Sequence, residues 1–466
     1  MLFSSIPFIY GFLPIFFISY FLCPSKGRNF IIVIFSLFFY GWQERNYVLL
    51  MIFVIAEGFI FAILLEKFRE KRIGKYLMIF VMGSYLVTLG YFKYMNFFID
   101  NMNYFFNIRL SIPKVLLPVG ISFYIFQMMS YNIDVYRNTT GAQKNPITVA
   151  AYISMFPQLI AGPIVRYKDI ERQLINREHS LDKIQEGIKR FSIGLAKKVL
   201  LANQLGECCD IFRGSKENSV LFMWIYGIAF MLHIYYDFSG YSDMAIGMAK
   251  IMGFELMENF RYPYCASSIT EFWRRWHISL GTWFRDYVYI PLGGNRVSLF
   301  LWVRNIFVVW FLTGFWHGAS WNFIFWGLFF GIWLLLEKKI LIDFLKRRKF
   351  LSHIYLLFLV MISFLLFDAG NLKEAIVNIL ALSGIGTKSL WGKESIFYLK
   401  NYAAIILISA IGATPYGFRI ITCWKKRISG EKFSLLMDLI GTAFCILTST
   451  AYLVDGSFNP FLYFRF

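Results

Sequence analysis

Histidine is scarce in this chain, five in 466 residues, and two of the five stand in unusual company. His317 lies in Gly314-Phe315-Trp316-His317-Gly318-Ala319-Ser320-Trp321, midway along a hydrophobic run from Asn305 to Leu336. Such a run suits two short helices meeting at His317-Gly318 in a hairpin. Arms of that length would stop short of the far membrane face and leave His317 within the bilayer. An ionisable group at that depth costs a few kcal/mol and is a functional candidate by default. Histidine is also the side chain best suited to proton transfer near neutral pH, typically worth about 10²–10⁴-fold in rate. Taken alone, a core histidine donating to a backbone carbonyl or a neighbouring serine is the more ordinary reading.

His277 belongs to Glu271-Phe272-Trp273-Arg274-Arg275-Trp276-His277-Ile278-Ser279-Leu280. At helical spacing Trp273, Trp276, Leu280 and Trp283 share one face, and Arg274, His277 and Gly281 share the next. The spacing predicts an amphipathic helix at the cytoplasmic interface, where tryptophans and basic residues gather for reasons of anchoring alone. Equally, Arg274, Arg275 and Trp276 are candidates for binding an anionic donor such as a phosphorylated coenzyme. Asp237 and Asp243 lie close in sequence, but Gly240 is expected to break the helix between them, so a paired-aspartate protease is not indicated. The GxxxxGK[ST], HExxH and GxSxG patterns are missing. Cys23, Cys208, Cys209, Cys265, Cys423 and Cys445 show neither a CxxC nor metal-ligand spacing, so no metal site is expected.

The elements that must hold these residues are membrane helices. The chain is 58% hydrophobic, 20% aromatic and 16% charged, against about 45–50% apolar and about 25% charged in soluble domains. The apolar residues come in long blocks, among them Ile6–Cys23, Tyr47–Phe61, Tyr76–Phe92, Val220–Tyr236 and Tyr402–Gly417. A net charge of +19 could suggest nucleic acid. Instead the charge is packed into loops, Lys67–Lys75, Lys338–Lys349 and Lys425–Lys432, as cytoplasmic loops are under the positive-inside rule. Residues 1–22 carry no Lys or Arg, so Phe3–Leu22 is expected to be a retained first helix and not a cleaved signal.

With those loops inside, the basic stretches 166–190 and 261–296 belong inside too, and some segments cannot cross fully. Segment 114–136, interrupted by Pro113, Pro118 and Gly120, is the candidate for a re-entrant segment. Segment 191–206, with Lys197 and Lys198, is the candidate for a partial insertion. Broken backbone at membrane depth survives only beside protein or a watery cavity. The expected fold is therefore an all-α polytopic membrane protein with about 11–12 transmembrane helices, plus re-entrant or partial segments around a central cavity. Both termini are expected outside. A single domain over 1–466 is expected, with 233–337 as its catalytic core and an aromatic tail over 456–466.

Several stretches together resemble one family. They are Tyr236-Asp237-Phe238-Ser239-Gly240-Tyr241-Ser242-Asp243, Asn259-Phe260 and Pro263-Tyr264, Glu271 through Leu280, Ile290-Pro291-Leu292-Gly293-Gly294-Asn295-Arg296, and Trp316-His317-Gly318-Ala319. Upstream, Asp134-Val135-Tyr136-Arg137 and Phe156-Pro157-Gln158-Leu159-Ile160-Ala161-Gly162-Pro163 belong to the same pattern. The chain resembles the membrane-bound O-acyltransferases, most of all the bacterial branch with alginate and peptidoglycan O-acetyltransferases. The resemblance is specific over 233–321; residues 338–455 match mainly in hydropathy. It implies that His317 is the central catalytic residue and His277 a second essential one. It implies acetyl-CoA as donor, a bacterial cytoplasmic membrane, and an extracytoplasmic esterase-like partner that carries acetyl to a polysaccharide. The tail Phe461-Leu462-Tyr463-Phe464-Arg465-Phe466 fits Phe-x-Tyr-x-x-Phe. Tyr463 resembles the acyl-relay tyrosine of a small peptide in the teichoic-acid relatives; an interfacial aromatic anchor is the plain alternative. The competing functions are a transporter with a polar substrate path and a lipid O-acyltransferase of the same family.

Overall fold

A computed structural model describes residues 2–111, 114–427, 431–456 and 461. Secondary structure among them is helical, with one isolated bridge between Ser219 and Ser389. Seven helices are long and apolar enough to cross a bilayer: Arg45–Phe68, Arg72–Phe106, Val220–Ile251, Leu299–His317, Lys349–Asp368, Lys393–Gly412 and Phe433–Val454. The polytopic helical class expected from hydropathy is what the chain adopts. Other apolar helices are shorter, such as Pro7–Leu22, Arg28–Gly41 and Trp321–Leu336.

The chain forms two compact units. The first comprises Met1–Phe191 and Met244–Met257, the second Ser192–Asp243 and Glu258–Phe466. No polar linker in the sequence marks the division, because the helix Val220–Ile251 runs on from one into the other. In the first unit the Phe8, Phe12, Phe16 and Phe39 rings close around Phe156, with Phe12 edge-on at 5.3 Å. A buried amide ties three helices: Asn132 accepts the Tyr85 hydroxyl at 2.7 Å and donates to the Gly58 carbonyl at 3.0 Å. The candidate re-entrant segment is an unbroken helix from Ile121 onward, preceded by Gly120 in the left-handed region. Residues 114–120 before it are not helical, and segment 147–165 is broken as well. It forms Pro146–Ser154 and Phe156–Leu159, separated by Met155 at ψ 107°.

The second unit holds both histidines. Its first helical stretch widens into π-type turns at Lys197–Ala202, a local form common at functional sites. The two lysines there face carboxylates of the helix Val220–Ile251: Lys197 pairs with Asp243 at 2.6 Å and Lys198 with Asp237 at 2.5 Å. Contrary to the sequence expectation, Gly240 does not break that helix. Its missing side chain serves a close approach. A β-carbon there would lie 2.8 Å from the Gly194 carbonyl oxygen and 3.1 Å from Lys198 N. Glycine thus lets the two helices come near enough for both ion pairs.

The Lys198–Asp237 pair is 0% and 3% exposed. Removing one partner of a buried pair strands the other and typically costs about 3–5 kcal/mol, whereas an apolar pair of similar size can be neutral. Lys198→Met or Asp237→Leu alone is therefore expected to lower the melting temperature markedly in detergent, and the double variant to recover most of the loss. Single variants that melt like the wild type would show that the pair contributes nothing to stability.

Candidate functional site

The helix Leu299–His317 ends at His317, Gly318 adopts extended backbone, and Trp321–Leu336 returns. The expected hairpin is present, but its first arm has 19 residues and begins at Leu299. At 1.5 Å per residue that is about 28 Å, close to a full crossing. Arm length thus does not bury His317; packing does. Glycines clasp the hairpin: a β-carbon at Gly314 would overlap the Phe323 carbonyl oxygen, and one at Gly327 the Trp310 carbonyl oxygen. The Asn322 amide donates to the Ala369 carbonyl, tying the turn to the end of Lys349–Asp368. His317 is 8% exposed. Its ring lies edge-on among Trp316 at 5.0 Å, Trp326 at 5.0 Å and Phe367 at 5.4 Å.

The amphipathic helix expected around His277 does not form. Ile269–Trp273 and Ile278–Phe284 are separate helices, and His277 between them is left-handed at φ 44°. Two distant side chains impose this. Ser268 caps the first helix by accepting the Glu271 N–H. The fully buried Glu337 carboxylate accepts the Ile269 and Thr270 N–H groups and the Thr270 hydroxyl, neutralising the same helix start. The second helix is started by Asn259, whose side-chain oxygen accepts the Ser279 N–H at 3.3 Å. His277 is consequently buried, 1% exposed, and not interfacial. Phe238 stands perpendicular to its ring at 4.7 Å, and Trp316 lies 5.9 Å away. Trp316 also abuts His317, so one indole stands beside both histidines. His277 lies between spanning helices, and burial pushes its imidazole down to about 3.

The three donor-binding candidates are separated. Arg274 lines a cavity of about 460 Å³ together with Arg285, Lys338, Ile278, Trp310 and Thr313. Arg275 turns to the Glu271 carboxylate. Trp276 is buried in an aromatic cluster, 5.0 Å from Phe260 and 5.5 Å from Phe272. Neither Arg275 nor Trp276 lines the cavity. Burial, and then the neighbouring Arg274, lower the affinity of Lys338 for its proton, against the opposing charge of Glu337. No His, Cys, Asp and Glu cluster among the described residues could hold a metal ion.

Tyr463 lies outside the described residues. Phe461, in the same tail, is buried at 1% exposure. Its ring lies edge-on to Tyr241 at 4.7 Å, with the Lys198 ammonium 4.5 Å from its centre. Tyr241 follows Phe238, the His277 neighbour, by three residues on one helix, so the two share a face. Asn259, Ser279 and Lys198 stand in stretches marked in the sequence, but the contacts they make, and Glu337 altogether, were not legible there.

The second unit thus holds two buried histidines that share Trp316 as a neighbour, and a cavity lined by Arg274, Arg285 and Lys338. The model of the membrane-bound O-acyltransferase family matches residues 140–367. A probable alginate O-acetylase of Pseudomonas putida is 43% identical over the whole of both chains. The peptidoglycan O-acetyltransferase of Helicobacter pylori is 32% identical over all of this chain and 98% of its own. The teichoic acid D-alanyltransferase of Bacillus subtilis is 28% identical over 46% of this chain and 57% of its own. The chain belongs to the membrane-bound O-acyltransferase family, and it is an O-acyltransferase of a multi-pass membrane protein class. The transporter alternative falls with that membership.

Proposed function

We propose that the protein takes acetyl from cytoplasmic acetyl-CoA and passes it through the membrane for O-acetylation of an extracytoplasmic polysaccharide. The names of the alginate and peptidoglycan relatives support the polymer class. The observation that carries the reaction is the cavity. The same walls include Arg274, Arg285 and Lys338, and also Ile278 and Thr313. Ile278 adjoins His277, and Thr313 is one helical turn before His317 on the same face. A volume of about 460 Å³ falls within the roughly 300–1,000 Å³ of small-molecule sites. It is large enough for a coenzyme arm.

The cations bind the coenzyme phosphates at the cytoplasmic side. The thioester then lies near the histidines. His317 takes the proton of the acceptor hydroxyl as its oxygen attacks the thioester carbonyl carbon. The C–S bond breaks, and the coenzyme leaves as thiolate and recovers the proton from His317. The first acceptor hydroxyl is that of Tyr463, and an extracytoplasmic esterase-like partner moves acetyl on to sugar. The protein sits in the bacterial cytoplasmic membrane with its carboxyl terminus outside, as the basic loops and relatives suggest.

Arg274→Ala is expected to raise the KM for acetyl-CoA on the order of tenfold with little change in kcat, as loss of a uniform binding contact does. Arg275→Ala, whose guanidinium is engaged by Glu271, is expected to leave the donor KM unchanged. Radiolabelled acetyl transfer in proteoliposomes measures both. The reverse order would move the donor site from this cavity to the Arg275 side.

A further inference from the structure

The corner that holds His277 settles which ring nitrogen carries its proton. A backbone N–H can only donate, and that of Ser279 lies 3.3 Å from Asn259 Oδ1. The Asn259 amide therefore presents oxygen to this corner, and its nitrogen turns to Ser242 Oγ at 3.2 Å. The same oxygen stands 3.2 Å from His277 Nδ1 and accepts the Ser279 hydroxyl at 2.9 Å, closer than the 3.4 Å from that hydroxyl to Nδ1, so the hydroxyl proton goes to Asn259. An amide oxygen has no proton to give, and a neutral imidazole has one N–H. The His277 proton therefore sits on Nδ1, and Nε2 keeps a lone pair. Nε2 is buried and has no hydrogen-bond partner among the described residues.

The main chain makes the corner rigid. Ile278 N donates to the Asn259 carbonyl at 3.1 Å, and Arg261 N to the Arg275 carbonyl at 2.9 Å. The left-handed His277 costs about 1–3 kcal/mol, and such strain persists where the surroundings over-determine it. A buried, strained, oriented acceptor atom needs a donor from outside the protein. Ile278, the next residue, lines the cavity with Arg274, so a ligand arm that reaches past Ile278 can bring that donor.

We infer that Asn259 is a positioning residue that locks His277 in its Nδ1–H form, so that His277 Nε2 accepts an amide N–H of the arm carrying the acyl thioester. The inference rests on the acyl-transfer reading and divides the labour within it. In this form His277 cannot donate through Nε2 to the thioester carbonyl. A base works best with a pKa near the working pH, and burial holds His277 far lower. Proton transfer stays with His317; His277 aligns the donor.

The test has two readouts. With only five histidines in the chain, ¹⁵N-histidine labelling and a His277→Gln difference spectrum identify the His277 ring in the intact protein. The expected signal is a neutral ring protonated at Nδ1, lost in Asn259→Ala and kept in Asn259→Asp. The carboxylate in the latter still accepts from Nδ1–H and from Ser279 N. In transfer assays Asn259→Ala is expected to raise the acetyl-CoA KM on the order of tenfold at nearly constant kcat, and Asn259→Asp to restore it. A ring protonated at Nε2 overturns the inference, as does a folded Asn259→Asp no better than Asn259→Ala. A fall in kcat at constant KM overturns it too, since His277 would then be acting as a base. A wild-type protein that never turns over acetyl-CoA would overturn the acyl-transfer reading and the amide assignment with it, while the spectrum would still decide the tautomer.

Discussion

Replacing His317 with alanine is expected to lower acetyl transfer at least about 100-fold, the lower range for loss of a general base, while the protein still inserts. The expectation rests on where the ring is held. It closes the carboxyl end of Leu299–His317. Its walls are Trp316, Trp326 and Phe367, which keep bulk water from competing as an acceptor of the acyl group. Alanine also removes volume from that aromatic box, and a cavity there lowers stability by itself. His317→Phe separates the two effects, because a phenyl ring fills the box but cannot take a proton. Both variants are expected to be inactive, and His317→Phe to melt close to the wild type. Surface-polymer ester content in a deletion strain carrying each variant is the measurement. Near-normal ester content with His317→Phe would remove His317 from the chemistry.

The membrane class was legible because composition acts along whole segments, and no local geometry has to be known to read it. His317 was legible because a histidine inside a long apolar run is conspicuous whatever its neighbours do. Both failures around it have a local cause. The single helix expected over Trp273–Trp283 was a correct reading of spacing, yet spacing assumes helical φ and ψ throughout. Asn259, 18 residues upstream of His277, supplies an alternative partner for the backbone and stops the helix. Gly240 misled in the opposite sense. Read as a breaker, it is an unbroken helical position that lets the Gly194 carbonyl approach. Lys198 and Asp237 are 39 residues apart, on different helical elements, and no one-dimensional pattern joins them. Periodicity carried the faces of helices; contacts between helices, which place Arg274 in the cavity and take Arg275 out of it, were beyond it.

Tyr463→Phe is expected to abolish acetylation of the polymer while leaving insertion and donor binding intact. The described neighbour of Tyr463 is Phe461, seated between Tyr241 and the Lys198 ammonium. Phe461 lies against the helix face that Tyr241 shares with Phe238, the ring against His277. A phenol is a suitable relay there. Its oxygen attacks the thioester carbonyl once its proton has gone to a histidine, and an aryl ester is reactive enough to pass acetyl to a further hydroxyl. The anchor reading requires only the aromatic ring, which Phe keeps. The discriminating comparison is Tyr463→Phe beside Phe461→Ala. The first removes the hydroxyl and should leave no acetyl on the carboxyl-terminal peptide by mass spectrometry and no ester on the polymer. The second only loosens the seat and should lower the rate of transfer without eliminating it. Normal polymer acetylation by Tyr463→Phe would show that acetyl leaves the His317 site directly for its final acceptor and that the tail serves as an anchor.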